Sequence, residues 1–351
     1  MGLAILWIFV FHSKVFFPGT FIFHPLRLVV STGYGGVDIF FFLSGFGLMH
    51  HMLIHNSTCI SFYKKRLLNI LPSYLLATII ALSIDYIAYD NVSFKKIVLC
   101  LTTIGFWTDN YMFYWFIPSI LSLYFIYPIF YKYYIKYKIY LIFIIIIFSI
   151  IACILLTTTN NDHFIRLISR IPIFFIGSHV KYISNNRNKL TRKEIYIQLS
   201  ALLLAFGLLL GLMILPHNFN IKDYGLAYFA FTIGTLPLCL FTSVILDKLS
   251  QVSKINNLSL LLLLSVCGSV SLEMYLVHKQ IVFKVGEIIL PTVPTLSIQS
   301  LLINYGHYLE YIVYFIITLL LALQLNRFSS YIRTHINRPS GNMPQLGNPE
   351  T

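Results

Sequence analysis

Long apolar runs separated by short polar segments make up nearly the whole chain. A bilayer span takes roughly 20 mainly apolar residues. Ten stretches meet that need: 2–17, 36–54, 68–88, 113–131, 139–157, 164–181, 195–215, 225–246, 258–278 and 309–326. The stretch 94–107 (FKKIVLCLTTIGFW) is shorter and opens with two lysines, so it reads as an interfacial or re-entrant helix. The pattern predicts an all-α polytopic membrane protein of about ten transmembrane helices with that one extra helix. Residues 1–337 read as a single transmembrane domain. The tail 338–351, rich in Pro, Gly and Asn, is expected to be disordered. No inverted or parallel repeat of a transporter type is visible.

Composition agrees with the pattern. Apolar residues are 58% of the 351 and charged residues only 11%, with a mean hydropathy of +0.79; a soluble domain carries about 25% charged residues. The net charge of +13 does not point to nucleic acid, because that needs a solvated basic face. The Lys and Arg residues sit in short clusters between apolar spans, where they set orientation. With both termini cytoplasmic, 16 of the 25 basic residues fall on the inner side. Counting 94–107 as a span would put the cluster 181–193 outside, so the ten-span reading is preferred. The N-terminus has no basic region and no A-x-A site, and residues 3–17 read as a retained helix rather than a signal peptide. The five cysteines show no metal-ligand spacing and read as packing residues.

Ionisable residues inside apolar spans are costly and draw attention to function. His12 lies in the outer half of the first span and Asp38 at the outer end of the second, in GGVDIFFFLSGFG. Arg170 falls near the outer end of the sixth, and Glu273 and His278 (SLEMYLVH) in the outer part of the ninth. All five reach a similar depth. If they meet in the membrane plane, the histidine is a general base and the arginine steadies negative charge. Each has a plainer reading. His12 and His278 suit an interface, Asp38 suits a helix cap, and Arg170 suits a headgroup anchor. Lys64, Lys65 and Arg66 read as a topology signal or as a ligand site. Tyr114 and Trp115 read as an interfacial aromatic belt.

The segments GLAILWIFVFHS, GGVDIFFFLSGFG and FYKKRLLNILPSYLL, followed by YWFIPSILSLYFIYP, RIPIFFIG and SLEMYLVH, resemble the acyltransferase-3 family of integral membrane acyltransferases. The resemblance runs over roughly residues 1–280 and implies an acyltransferase domain of about ten helices. It implies an O-acetyltransferase of the cell membrane that moves acetyl from cytoplasmic acetyl-CoA to a hydroxyl of a cell-surface or lipid-linked polysaccharide. His12 matches the family's histidine, and Arg66 the first arginine of its basic motif. Two positions depart. Met1 stands where the family has an arginine, and Asn69 stands for the second arginine of the basic motif.

Both lines together predict catalytic roles for His12, Asp38 and Glu273, with Asp38 orienting or balancing His12. Lys64, Lys65 and Arg66 are expected to hold CoA phosphates, with the two lysines standing in for the missing arginine. Arg170 and His278 are expected to shape the acceptor pocket. No metal and no resident cofactor is expected, and acetyl-CoA enters as a substrate. The partners are acetyl-CoA, a glycan or lipid-linked sugar, and the bilayer, with no nucleic acid. The alternative is a multi-pass transporter of a glycan, lipid or proton-coupled solute, with His12, Asp38 and Glu273 as relay residues. A third reading is an inactive, scaffold-like descendant.

Overall fold

The computed structural model describes residues 1–13, 29–55, 58–89, 92–109, 114–156, 161–185, 191–214, 226–256, 259–289 and 299–336. The tail expected to be disordered lies outside them. The described chain is helical, with no strand among the described residues.

The helices are α1 (Gly2–Ser13), α2 (Gly35–Ile54), α3 (Cys59–Tyr89), α4 (Phe94–Leu101), α5 (Ile104–Thr108), α6 (Phe116–Tyr137), α7 (Ile139–Leu156) and α8 (Asp162–Ile168). They continue with α9 (Ile171–Ser184), α10 (Arg192–Ile214), α11 (Leu226–Asn256), α12 (Ser259–Ser269) and α13 (Ser271–Val277). A π-helical turn (His278–Phe283) then leads into α14 (Lys284–Ile289), and α15 (Gln299–Ile336) closes the fold. Among the described residues, six helices are long and apolar enough to cross a bilayer: α2, α3, α7, α10, α11 and α15. The bent pair formed by α12 and the run from α13 brings the number to seven.

Every expected span contains helix, but several differ from a simple rod. The expected span 164–181 is broken at Ser169–Arg170, and Pro172 in the first turn of α9 favours a fresh helix start there. The expected span 258–278 bends by 74° at Val270. Beyond it, helix continues to Ile289, and α15 begins ten residues earlier than the apolar pattern indicates. The α6 segment is interrupted by tyrosines and Pro128, which lower its hydropathy.

The stretch 94–107, expected to be interfacial or re-entrant, forms two short helices, α4 and α5, separated by Thr103 at φ 63°. Lys95 donates to Asp109 across them at 2.9 Å. That bond, with one from Thr108, holds the Asp109 carboxyl below its usual range. Lys96 of α4 pairs with Asp85 of α3 at 3.1 Å, and Lys284 of α14 reaches the same carboxylate.

Exposed Ile144, Phe148, Ile151 and Leu155 on α7 are suited to lipid. The core is built from Phe41, Ile117, Tyr127, Phe174 and Met274, all fully buried. Its tightest seam joins α2 to α9. A methyl group at Gly45 would lie 1.8 Å from the Phe174 carbonyl oxygen, and one at Gly177 would lie 2.1 Å from that of Phe42. Small residues let backbones approach where lipid gives no hydrophobic push. Ser178 then donates to the Gly45 carbonyl at 3.0 Å, and Tyr127 donates to the Ser178 hydroxyl at 3.2 Å. Gly45→Val is expected to force the seam open and destabilise the protein by about 2 kcal/mol or more. Thermal unfolding of the detergent-purified protein checks this, and an unchanged melting temperature contradicts it.

Candidate functional site

The five ionisable residues resolve into three buried or part-buried pairings. In the first, Arg170 Nε lies 3.0 Å from Asp38 Oδ1, with the side chains 1% and 0% exposed. Asp38 is in the first turn of α2, where the helix dipole favours a carboxylate. It is not the cap; that position is Tyr34 and makes no side-chain cap bond. Arg170 is the residue at the α8–α9 break. It donates through Nη1 to the Arg166 carbonyl at 3.0 Å, and its Cζ stands 4.9 Å from the centre of the Trp115 ring. Neither a helix cap nor a headgroup anchor describes this pair. Trp115 and Tyr114 also leave the expected aromatic belt: Tyr114 is buried and Trp115 faces Arg170.

The second pairing joins the two histidines. His278 Nε2 lies 3.2 Å from His12 Nδ1, and the rings meet edge-on with centroids 4.9 Å apart. Each Nδ1 also contacts the carbonyl one turn earlier, Ile8 for His12 and Met274 for His278, both at 3.0 Å. A carbonyl oxygen only accepts, so both Nδ1 atoms carry hydrogen when the rings are neutral. His278 Nε2 therefore accepts from His12 Nδ1–H, which it shares with Ile8. His12 Nε2 is left with a lone pair. Lys279 and Arg166 lie within electrostatic range of His12.

The sequence leads one to expect Asp38 beside His12. The structure separates them, because the buried Asp38 carboxylate turns to Arg170 at the cap of α9 while His12 faces α13 and the π-helical turn. In the third pairing, Ser73 of α3 donates to Glu273 Oε1 at 2.9 Å. Glu273 follows the bend at Val270, and His278 opens the π-helical turn. Irregular backbone at membrane depth is tolerated where protein surrounds it, and here both irregularities lie within one turn of an expected site residue.

At the opposite end of α2, Arg66 of α3 turns inward over Phe62, with Cζ 5.6 Å from the ring centre. His51 packs on the same ring at 6.2 Å between centroids. Arg66 Nε and His51 Nδ1 are both buried without a hydrogen-bond partner among the described residues. Lys64 and Lys65 are exposed instead. Arg66, Asn69 and Ser73 follow at i, i+3 and i+7, along one face of α3. Ser73 lies about 10 Å along the axis from Arg66. A polar stripe thus leads from the basic end toward Glu273.

The residues that a linear reading misses are His51, Ser73, Trp115, Arg166 and Lys279. Only the histidine run of GLMHHMLIH stands out as a signal for His51; the others depend on which helices become neighbours. A cavity of about 1140 Å³ lies elsewhere among the described residues. It is apolar, lies against Leu3, Leu6, Trp7 and Val10 of α1, and is lined by none of the expected site residues. Among the described residues no group of three His, Cys, Asp or Glu side chains is placed to hold a metal ion.

A family model described as an acyltransferase domain matches residues 2–327. No curated protein and no solved structure gives a significant match.

Removing one member of the Asp38–Arg170 pair leaves a buried charge alone. Arg170→Met is expected to destabilise the protein by about 3–5 kcal/mol, and the double change Asp38→Leu/Arg170→Met by much less. Unfolding in detergent checks this; equal losses for the single and double variants contradict it.

Proposed function

The chain belongs to the acyltransferase-3 family, and we propose that it is an O-acetyltransferase of the cell membrane with both termini cytoplasmic. The donor is cytoplasmic acetyl-CoA, and the acceptor is a hydroxyl of a cell-surface or lipid-linked polysaccharide. The observation that carries the mechanism is the hydrogen bonding of His12. With Nδ1–H committed to the Ile8 carbonyl and His278, the free lone pair belongs to Nε2.

In this reading His12 Nε2 takes the proton of the acceptor hydroxyl as its oxygen attacks the thioester carbonyl carbon. The carbonyl becomes a tetrahedral oxyanion, which Arg166 and Lys279 stabilise electrostatically. The carbon–sulfur bond breaks, the acetyl group stays on the acceptor oxygen, and the Nε2 proton passes to the leaving thiolate to give CoA. His278 is a positioning residue that fixes the tautomer and angle of His12. Asp38 acts at one remove, setting Arg170 and the α2–α9 seam.

The donor's phosphates stay at the basic end, where Arg66 and His51 offer buried nitrogens without hydrogen-bond partners among the described residues. Its acyl arm runs along the polar stripe past Ser73 and Glu273. Arg170, with Trp115, forms part of the acceptor side. Proton-coupled transport uses similar residue types, but it consumes no acetyl-CoA, and the family weighs against it.

Membranes supplied with labelled acetyl-CoA and host envelope glycans test the proposal. The intact protein is expected to label glycan, and His12→Ala to fall to background. His278→Ala is expected to lower kcat about 100-fold with little change in the donor KM, while His278→Gln, which keeps an acceptor atom, retains more activity. Full labelling by His12→Ala contradicts the assignment.

A further inference from the structure

Near the end of α15, the half-buried Arg333 points a guanidinium at α3. Its hydrogen-bond partners among the described residues are all neutral oxygens. Nη2 donates to Ser330 Oγ at 2.7 Å and to Asn326 Oδ1 at 3.4 Å, and Nη1 lies 3.5 Å from Asn69 Oδ1. No ion pair involves Arg333 among the described residues. Glu273, whose carboxylate accepts from Ser73, lies within electrostatic range of Arg333.

Arg66 stands three residues before Asn69, so it shares a face of α3 with the tether of Arg333. Two guanidinium-bearing residues thus stand about one turn apart along α3, one carried by α3 itself and one brought to Asn69 by α15. Neither has a carboxylate partner among the described residues, and each has buried or half-buried atoms. Like charges repel, and holding them near one another is favourable when an anion sits between them. The planar guanidinium fork matches phosphate oxygens two at a time. A residue serving only as a topology signal needs no tether from a neighbouring helix, and Lys64 and Lys65 show that case by staying exposed.

We propose that Arg333 is the second guanidinium of the acyl donor's phosphate site, with Arg66 the first and Asn69 the tether that aims it. The inference rests on the donor reading given above. It assigns the contact to a residue near the far end of the chain rather than to Lys64 or Lys65. Donor binding then draws α15 against α3 and brings the site's two ends into one unit through Ser73 and Glu273.

Acetyl-CoA binding to the full chain in detergent, measured by calorimetry over a series of salt concentrations, tests this. The variants are Arg333→Gln and the exchange Asn69→Arg/Arg333→Asn, which moves the guanidinium onto α3 at the same place. Arg333→Gln is expected to raise Kd about tenfold or more and to flatten its salt dependence. The exchange is expected to restore Kd to within about threefold of the original. An unchanged Kd and salt dependence in Arg333→Gln overturns the role of Arg333 alone. So does a loss that persists in an exchange variant that is monodisperse and melts as the original does. Failure of the unmodified protein to bind acetyl-CoA overturns the donor reading and this inference with it.

Discussion

The ion pair between Asp38 and Arg170 sets the terms on which the rest of the bundle is assembled. Two charges lie in a region from which water is excluded, so each depends on the other for its stability. Their contact requires α2 and α9 to approach closely, and the glycines at 45 and 177 permit that approach. It also requires a helix to stop and restart at Arg170, so that the guanidinium projects inward past Trp115. The seam, the break and the pair form one device. That device holds its own charge balance and leaves the histidines to pair with each other.

The histidine pair follows a different logic. No carboxylate is seen to orient His12 among the described residues; a backbone carbonyl and a second neutral imidazole do so. A neutral partner suits a site within hydrocarbon, where an added carboxylate would need a cation of its own. The π-helical turn beginning at His278 helps explain how that ring comes across to α1, since π-type turns re-aim side chains within helices. Lys279 and Arg166 lie within electrostatic range of His12, as suits the proposed step, which develops negative charge on oxygen.

Much of this is legible in the chain before any coordinates, and the reason is the solvent. Hydrocarbon tolerates few ionisable groups, so His12, Asp38, Arg170, Glu273 and His278 stand out from apolar surroundings, and the family motifs add weight to them. Helix content follows from the same constraint, because backbone groups in lipid must bond within their own segment. What linear order conceals is direction around each helix. His12 and Asp38 both lie near one end of apolar segments, yet they look toward different neighbours, α13 and α9. Trp115 resembles a belt residue until α9 is placed beside it. Arg333 counts only as one more positive charge near the end of an apolar helix until α15 packs against α3. The breaks at Arg170 and Val270 are similarly hidden, since the apolar runs continue across both.

The central claim is that His12 presents an unprotonated Nε2 because His278 and Ile8 hold its Nδ1–H. Nitrogen-15 NMR of histidine-labelled protein in lipid, with His12→Gln used to assign the His12 signals, measures that arrangement directly. The account predicts a neutral His12 ring with Nδ1 protonated and Nε2 bare, and a shift toward mixed tautomers when His278 is replaced by Ala. A neutral ring protonated at Nε2 in the unmodified protein would contradict it.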